Sequence, residues 1–521
     1  MTYLSNLGIE ASEKQISDIF ISGTNSARPF NSDLDCSIYQ NFVREYSIKR
    51  RNHSMRDIFG IYYSPEGGLI GSNKMEELLT HMYKPIQDQD IITRRQDLVK
   101  HFANATKEES NLMLNLLSQH SSLDNIVNYE KKRDDKKSRH FPKMVHPFME
   151  LADSLSQLSE MYKNDSLMKD FSRRIDGLFE EHPVLKDAYL FDWKSGRVLM
   201  NPKCEVSLAK LSLKGTSSIN IGLFDDGINY SVFGNYIPDI ERFAHECAPF
   251  IYTLGSFFYL AKAFDIAGKN DQPVCMPKIN NEGIFELREA LPIVTRIEGN
   301  SPINVEFSYA RGNNKVILSG PHSGGKTELL KNIGVYHALA LSGFFVPAEY
   351  ANVPMTRRII TSFKKSAEKN KGSLESEINE TSKVIRELQQ GDLALWDEFL
   401  DTTKPELAAY LEEPLLEGFA STPATIILVS HRATSLRQDF GFRFMYPELK
   451  EIEVPEENSA YYIRSEKTEV DSSGFKEGEN KIKLLIPTRR FIEGKPTPEL
   501  TRNHAFQMWD NVKKRLKRGY W

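Results

Sequence analysis

A short glycine-rich segment carries the residues whose types and spacing point most clearly to chemistry. Residues 315–327 read KVILSGPHSGGKT, which contains the pattern G-x-x-x-x-G-K-[ST]. In such a loop the glycines let backbone N–H groups turn around a triphosphate, while the lysine reaches the β and γ phosphates and the threonine hydroxyl can hold Mg²⁺. The pattern therefore predicts a site for ATP and Mg²⁺, formed by Gly320, Pro321, His322, Ser323, Gly324, Gly325, Lys326 and Thr327.

The alternative interpretation of this segment is a plain glycine turn between a strand and a helix. Its surroundings favour the phosphate loop, because Val316, Ile317 and Leu318 form an apolar strand directly before it. A helix over about 326–341 follows directly and would point its positive N-terminal end at the anion.

A pair of acids is the second chemical feature. The segment DLALWDEF (392–399) reads as an apolar strand that ends in Asp397 and Glu398. We expect Asp397 to bind Mg²⁺ through the water shell of the metal, opposite Thr327, and Glu398 to orient or deprotonate the attacking water. The alternative is an acidic pair that caps a helix.

A histidine at the end of another strand is the third feature. TIILVS (425–430) reads as a buried strand, and His431 follows it. Strand ends in open α/β sheets face the ligand crevice, so the side chain could sense the γ phosphate. The alternative is an ordinary surface histidine after a strand.

The length and composition of the chain limit the classes of protein to which it can belong. The chain has 521 residues, of which 40% are hydrophobic and 26% charged, so we expect two to four domains of an ordinary globular protein. A net charge of −4 does not indicate nucleic acid, so any DNA contact must come from local basic patches.

Four widely spaced cysteines argue against a zinc site or a disulfide scaffold and suit a reducing cytosol. The N-terminus lacks the pattern of a signal peptide, and the apolar stretch 248–261 is expected to be a core helix rather than a membrane span.

The predicted secondary structure changes along the chain. Residues 1–74 have no assigned role, and 75–267 are mainly helical with a β-rich insertion at about 183–235. Within this insertion, AYLFDWKSGRVLM (188–200) and SINIGLFDDGINYSV (218–232) each predict a hairpin. An α/β region that contains the glycine-rich loop spans 275–451, and 452–521 is a charged, turn-rich segment that ends in a basic helix.

The order of these elements resembles the MutS family of DNA mismatch-repair ATPases, which are related to ABC ATPases. GPHSGGKTE is similar to the family pattern GPNMGGKST, and LALWDE and LVSHR follow it in the family order. Further resemblances, together covering about 75–510, are IITRRQDLVKHF (91–102), REALPIV (288–294), GFFVPA (343–348), GSLESEINET (372–381) and GKPTPELTRNHAF (494–506).

The resemblance implies a fold and a set of further site residues. The fold would be an α/β P-loop ATPase domain, with a mostly parallel sheet and flanking helices, joined to a mainly α-helical lever domain with a small β insertion. Residues 452–521 would form the dimerisation segment. Ser373 would reach across a homodimer to the ATP of the partner, although a serine at this position also suits a helix N-cap. Ile303 and Asn304 are the nearest match to the adenine-binding turn of the family.

The chain departs from the family pattern in three places. After Glu398 the sequence FLDTT replaces a glycine-rich loop that carries signals between subunits. We expect no room for an N-terminal mismatch-reading domain, because the FME (148–150) and FEE (179–181) triplets lie within helical sequence. The lever region is also short, with the long DNA clamp of the family reduced or missing.

These features predict a dimeric, cytoplasmic or nucleoid-associated ATPase that acts on duplex or branched DNA in repair or recombination, without reading mismatches itself. Basic stretches at 131–140 and 513–521 are the direct hints of DNA contact, and a MutL-like or other repair protein is a possible partner. The alternative is a nucleotide-gated interaction protein that acts on RNA, the ribosome or a protein partner. No membrane association is expected.

Overall fold

A computed structural model describes the parts of the chain that position the site. Its described residues divide into two compact units, one within Thr93–Lys262 and the other within Leu79–Ile92 and Ala263–Trp521. The described ranges are 86–118, 142–181, 190–192, 197–199, scattered positions of 242–269, 273–291, 305–320, 325–362, 374–397, 405–430, 441–455 and 481–494.

The first unit is built from helices with apolar inner faces. Its elements are α1 (Gln89–Ala103, which begins in the other unit), α2 (Lys107–Ser118), α3 (Pro142–Tyr162) and α4 (Lys169–Glu181). The helix α3 packs against both α2 and α4. The described positions of 251–261 are helical and their side chains are buried, as the sequence predicted. Within the described part of the chain, no helix combines the length and apolar character that a bilayer-spanning segment needs.

A polar junction joins three helices of this unit. Thr106 caps α2 by accepting a hydrogen bond from the backbone N–H of Glu109 at 3.1 Å. The Glu109 carboxylate then accepts a 2.6 Å hydrogen bond from Tyr162 Oη and lies 2.9 Å from His101 Nε2. The hydrogen bond to Glu109 raises the pKa of His101, despite the opposing effect of burial. The junction therefore satisfies a buried carboxylate where α1, α2 and α3 meet.

A short hairpin also belongs to the first unit. Strands β1 (Leu190–Asp192) and β2 (Arg197–Leu199) pair antiparallel, which confirms the hairpin predicted from AYLFDWKSGRVLM. The second hairpin predicted in this region, at 218–232, lies outside the described residues.

The second unit contains a mixed sheet of ten strands in the order β3-β7-β4-β5-β12-β11-β6-β10-β9-β8. Helices α5 (Lys326–Ala340), α6 (Leu374–Glu387) and α7 (Pro405–Ser421) belong to the same unit. The strands are β3 (Lys278–Asn280), β4 (Phe285–Ala290), β5 (Val305–Tyr309), β6 (Lys315–Leu318), β7 (Tyr350–Pro354), β8 (Arg358–Ser362), β9 (Asp392–Trp396), β10 (Thr425–Val429), β11 (Arg443–Pro455) and β12 (Lys481–Glu493).

One side of the sheet is parallel. The strands β11, β6, β10, β9 and β8 pair in parallel, and β6, β9 and β10 carry nearly continuous buried apolar residues. Such runs are typical of strands that are covered on both faces. Helix α5 packs against β9 and β10, and α7 contributes Leu416 and Phe419 to a buried cluster with Trp396 and Leu428. The strands β6, β9 and β10 and the helix α5 lie where the sequence predicted them.

An ion-pair cluster holds the starts of two parallel strands together. Asp392, the first residue of β9, accepts hydrogen bonds from the guanidinium groups of Arg357 and Arg358 at 2.7–3.2 Å. Burial favours the neutral acid, but the hydrogen bonds from the two arginines outweigh this effect and lower the pKa of Asp392. The cluster fixes the register of β8 against β9 at the edge opposite the site.

Candidate functional site

Three parallel strands end side by side at one edge of the sheet. Leu318 of β6 pairs with Val429 of β10, and Leu428 of β10 pairs with Trp396 of β9. The residues that follow these strands therefore lie at the same edge, with the end of β10 between the other two. In open α/β sheets this carboxyl edge is where ligands bind.

The glycine-rich loop leaves β6 at this edge and returns into α5. Its start is anchored to β11, because the backbone N–H of Ser319 donates to the carbonyl of Met445 at 2.8 Å. Gly320 and Gly325 both have positive φ, at 121° and 68°, and Gly325 is the N-cap of α5. Lys326 is buried, and its Nζ donates to the carbonyl oxygen of Gly320 at 3.0 Å. The lysine amine is thus held against the first glycine of the loop.

Gly320 is required by its neighbour as well as by its backbone angle. A Cβ at this position would lie 2.9 Å from Cδ of Pro447 on β11, closer than such atoms can approach. Pro447 flanks a register shift between β11 and β12, so its ring cannot move without disturbing that pairing. Backbone strain and steric collision therefore both select glycine here.

We expect Gly320→Ala to weaken ATP binding at least roughly tenfold, because relief of the collision must displace the loop. Titration with a fluorescent ATP analogue measures this affinity. Gly312→Ala is the matched control, since Gly312 also has positive φ (92°) but has open space around its Cβ position. The control should lower thermal stability and leave the affinity unchanged, and equal affinities for the two variants would contradict the role given to Pro447.

The side chains of Thr327 and Asp397 meet at the strand edge. Thr327 Oγ1 in the first turn of α5 donates to Asp397 Oδ1 at 2.8 Å, although the residues are 70 positions apart. Asp397 follows β9 directly and is only 8% exposed. A hydroxyl and a carboxylate are the hard oxygen donors that Mg²⁺ prefers, so this pair fits a magnesium ion with its own waters. The structure brings together the two residues that the sequence predicts to hold Mg²⁺.

A second polar contact at this edge escaped the sequence analysis. Ser430, the residue after β10, donates from Oγ to the buried carboxylate of Glu412 on α7 at 2.8 Å. The helical spacing of the sequence could have indicated this contact. Glu412 shares one face of α7 with the buried Leu415, Leu416 and Phe419. A carboxylate within an apolar stripe indicates a specific buried partner.

Nine of the predicted site residues lie outside the described part of the chain, so their roles stay predictions. Two of them, Glu398 and His431, directly follow the described Asp397 and Ser430 in the sequence. The full set is Ile303, Asn304, Pro321, His322, Ser323, Gly324, Ser373, Glu398 and His431.

The helix that carries Lys326 also contains a fully buried histidine. His337 Nδ1 lies 2.8 Å from the carbonyl of Ile333, and its Nε2 lies 3.1 Å from Tyr309 Oη. A carbonyl only accepts, so Nδ1 carries the proton and Nε2 accepts from the tyrosine. The ring stacks on Phe285 at 4.5 Å, and burial lowers the pKa of His337 from 6.5 to about 4. This histidine is therefore neutral and packs the far end of the helix.

We expect acid to destabilise the second unit through His337. Between pH 6.5 and 4 the unfolded chain binds a proton here and the folded chain does not, so stability falls as the pH is lowered through this window. The loss between pH 7 and pH 5 should be about 2 kcal/mol, as measured by urea unfolding at both pH values. In His337→Gln this part of the pH dependence should disappear; an unchanged dependence would contradict the assignment.

Comparison with known proteins identifies similar sequences over this region. The family model of MutS domain V matches residues 316–411, a range that includes the glycine-rich loop and Asp397. Proteins named Endonuclease MutS2 are also similar. The one from Clostridium botulinum (strain Langeland) is 28% identical over 224 residues, which is 42% of this chain and 24% of the relative. The one from Lactobacillus gasseri is 25% identical over 203 residues, which is 36% of this chain and 25% of the relative. The chain spans about a quarter of the length of these relatives.

Proposed function

We propose that this chain, a member of the MutS family, is an ATPase whose nucleotide cycle controls binding to duplex or branched DNA. The observation that carries the proposal is the 2.8 Å contact between Thr327 and Asp397 beside the glycine-rich loop. It joins the end of one parallel strand to the helix that follows another, which is the arrangement that a Mg²⁺–triphosphate site needs.

The nucleotide domain is proposed to have the P-loop ATPase fold over 275–451, with the helical lever domain over 75–267. Five adjacent parallel strands, helices packed against them, and a glycine-rich sequence between β6 and α5 support this assignment. Residues 452–521 are proposed to support dimerisation, and β12 within this segment pairs with β11 beside the loop strand.

Each site residue has a separate proposed role in hydrolysis. The backbone N–H groups of 320–325 and the amine of Lys326 hold the β and γ phosphates. Thr327 and Asp397 hold Mg²⁺, which when bound neutralises charge on the phosphate oxygens. Glu398 orients the attacking water and accepts its proton, since a carboxylate at this position follows the metal-binding Asp397 directly.

The remaining proposed roles concern the γ phosphate, the base and the dimer. His431 contacts the γ phosphate from the end of β10, and Ile303 and Asn304 contact the adenine. Ser373, directly before α6, reaches the ATP of the partner in a homodimer, and its alternative role is to cap α6. ATP bound at the subunit interface would couple the two protomers, with the altered loop after Glu398 weakening that coupling.

Binding to DNA is proposed to depend on phosphate contacts rather than base contacts. The basic stretches at 131–140 and 513–521 supply lysine and arginine for the backbone, in a chain whose net charge is −4. Affinity should therefore fall steeply with salt and vary little with sequence. A MutL-like or other repair partner and a cytoplasmic or nucleoid-associated location complete the proposal.

Fluorescence anisotropy tests the DNA part of the proposal. Labelled duplex, mismatched duplex, four-way junction, single-stranded DNA and structured RNA are titrated with the protein in the presence of ADP or a slowly hydrolysed ATP analogue. We expect duplex or junction binding that differs between the two nucleotides and shows no preference for the mismatch. Preferred binding of RNA, or no nucleotide-dependent binding, would contradict the proposal and favour an RNA or protein target.

A further inference from the structure

A buried carboxylate lies at the strand edge without a role in the proposed reaction. Glu412 on α7 is 1% exposed and shares its helix face with the apolar Leu415, Leu416 and Phe419. An apolar residue at this position could pack there without the desolvation penalty that a carboxylate carries. Packing alone therefore does not explain a glutamate at this position.

The hydrogen-bond partner of this carboxylate is at the end of the central strand. Ser430 Oγ donates to Glu412 Oε1 at 2.8 Å, and Ser430 is itself 6% exposed. From the other side, the backbone N–H of Ser430 donates to the carbonyl of Leu318 at 3.0 Å. Ser430 is thus held between α7 and the strand that leads into the glycine-rich loop.

The position of Ser430 in the sequence connects this contact to the reaction. It immediately precedes His431, and β10 lies between the strands that lead to Lys326 and to Asp397. Helix α7 is also the next helix after Glu398 in the described chain, beginning at Pro405. Glu412 therefore links the helix after the proposed base to the strand before the proposed γ-phosphate sensor.

We propose that Glu412 is a positioning residue that acts through Ser430 to fix the end of β10, the strand that precedes the proposed sensor His431 in the sequence. The inference rests on the proposed ATPase function and adds a residue to it. The proposed role of the Glu412 carboxylate is to hold the end of β10 through Ser430 rather than to contact the nucleotide.

Steady-state hydrolysis of ATP by Glu412→Ala measures the effect. We expect kcat to fall roughly tenfold, while KM and the affinity for a fluorescent ATP analogue change less than about twofold, because Lys326 and Thr327 are untouched. Glu412→Gln keeps an oxygen that can accept from Ser430 and should restore kcat to within about threefold of the original protein. A purely structural role would lower the melting temperature and the affinity together, and that result would overturn the proposal.

The decisive readout is a double-mutant cycle with His431. If Glu412 acts by positioning this residue, Glu412→Ala should lower kcat no further in a His431→Ala background. Additive losses would overturn the proposal. Where Glu412→Ala does not fold, Ser430→Ala removes the donor with a smaller change and should show the same non-additivity.

The same assay separates failure of this inference from failure of the proposed function. If the unmodified protein hydrolyses ATP and the losses in the double-mutant cycle are additive, only the role proposed for Glu412 is contradicted. If the unmodified protein does not hydrolyse ATP, both the proposed function and this inference are contradicted.

Discussion

Lys326→Ala should weaken ATP binding roughly 100-fold, a loss of the size expected when a buried cation is removed from a charged ligand. The Lys326 side chain is buried and its amine contacts the carbonyl of Gly320 at 3.0 Å, at the start of the proposed phosphate loop. No other lysine belongs to the glycine-rich pattern, which leaves the β and γ phosphates without their cation. Equilibrium titration with a fluorescent ATP analogue in Mg²⁺ measures the loss.

Lys331→Ala provides the matched control for this change. It removes a lysine from the same helix, five positions further along, and should bind ATP as the unmodified protein does. Retention of ATP affinity in Lys326→Ala would contradict the assignment of the loop.

Glu398→Gln should lower kcat for ATP hydrolysis roughly 100- to 1,000-fold while ATP stays bound, the effect expected when a general base is lost. The amide keeps the size of the side chain but cannot accept the proton of the attacking water. Single-turnover hydrolysis measures the chemical step, and nucleotide titration measures binding. Because the metal-binding Asp397 and Thr327 are unchanged, the affinity should remain within about twofold of the original value.

Glu417→Gln controls for the loss of one negative charge. Glu417 is an exposed residue of α7 and should have no effect on either quantity. Hydrolysis at the normal rate in Glu398→Gln would show that another group activates the water.

The local parts of the site were predictable because they depend on neighbours in sequence. The strand–loop–helix unit follows from the apolar run before Gly320 and the helical pattern after Lys326. The approach of Asp397 to Thr327 was also predictable, because both residues follow parallel strands and such strands end at one edge.

Other parts depend on contacts that no local pattern encodes. The strands β11 and β12 lie between β6 and β5 in the sheet, although residues from 452 onward read as charged and turn-rich. The collision of Pro447 with a side chain at position 320 arises only from that placement. The hydrogen bond between Ser430 and Glu412 likewise requires knowing how α7 packs on the sheet.

Steady-state ATP hydrolysis by the purified protein, with and without nucleic acid, tests the central claim most directly. Duplex, mismatched duplex, four-way junction, single-stranded DNA and structured RNA are compared at one salt concentration, because phosphate contacts are salt-dependent. We predict Mg²⁺-dependent hydrolysis that changes with duplex or junction and shows no additional response to a mismatch. Hydrolysis that is indifferent to every nucleic acid would contradict the DNA assignment, and no hydrolysis under any condition would contradict the ATPase itself.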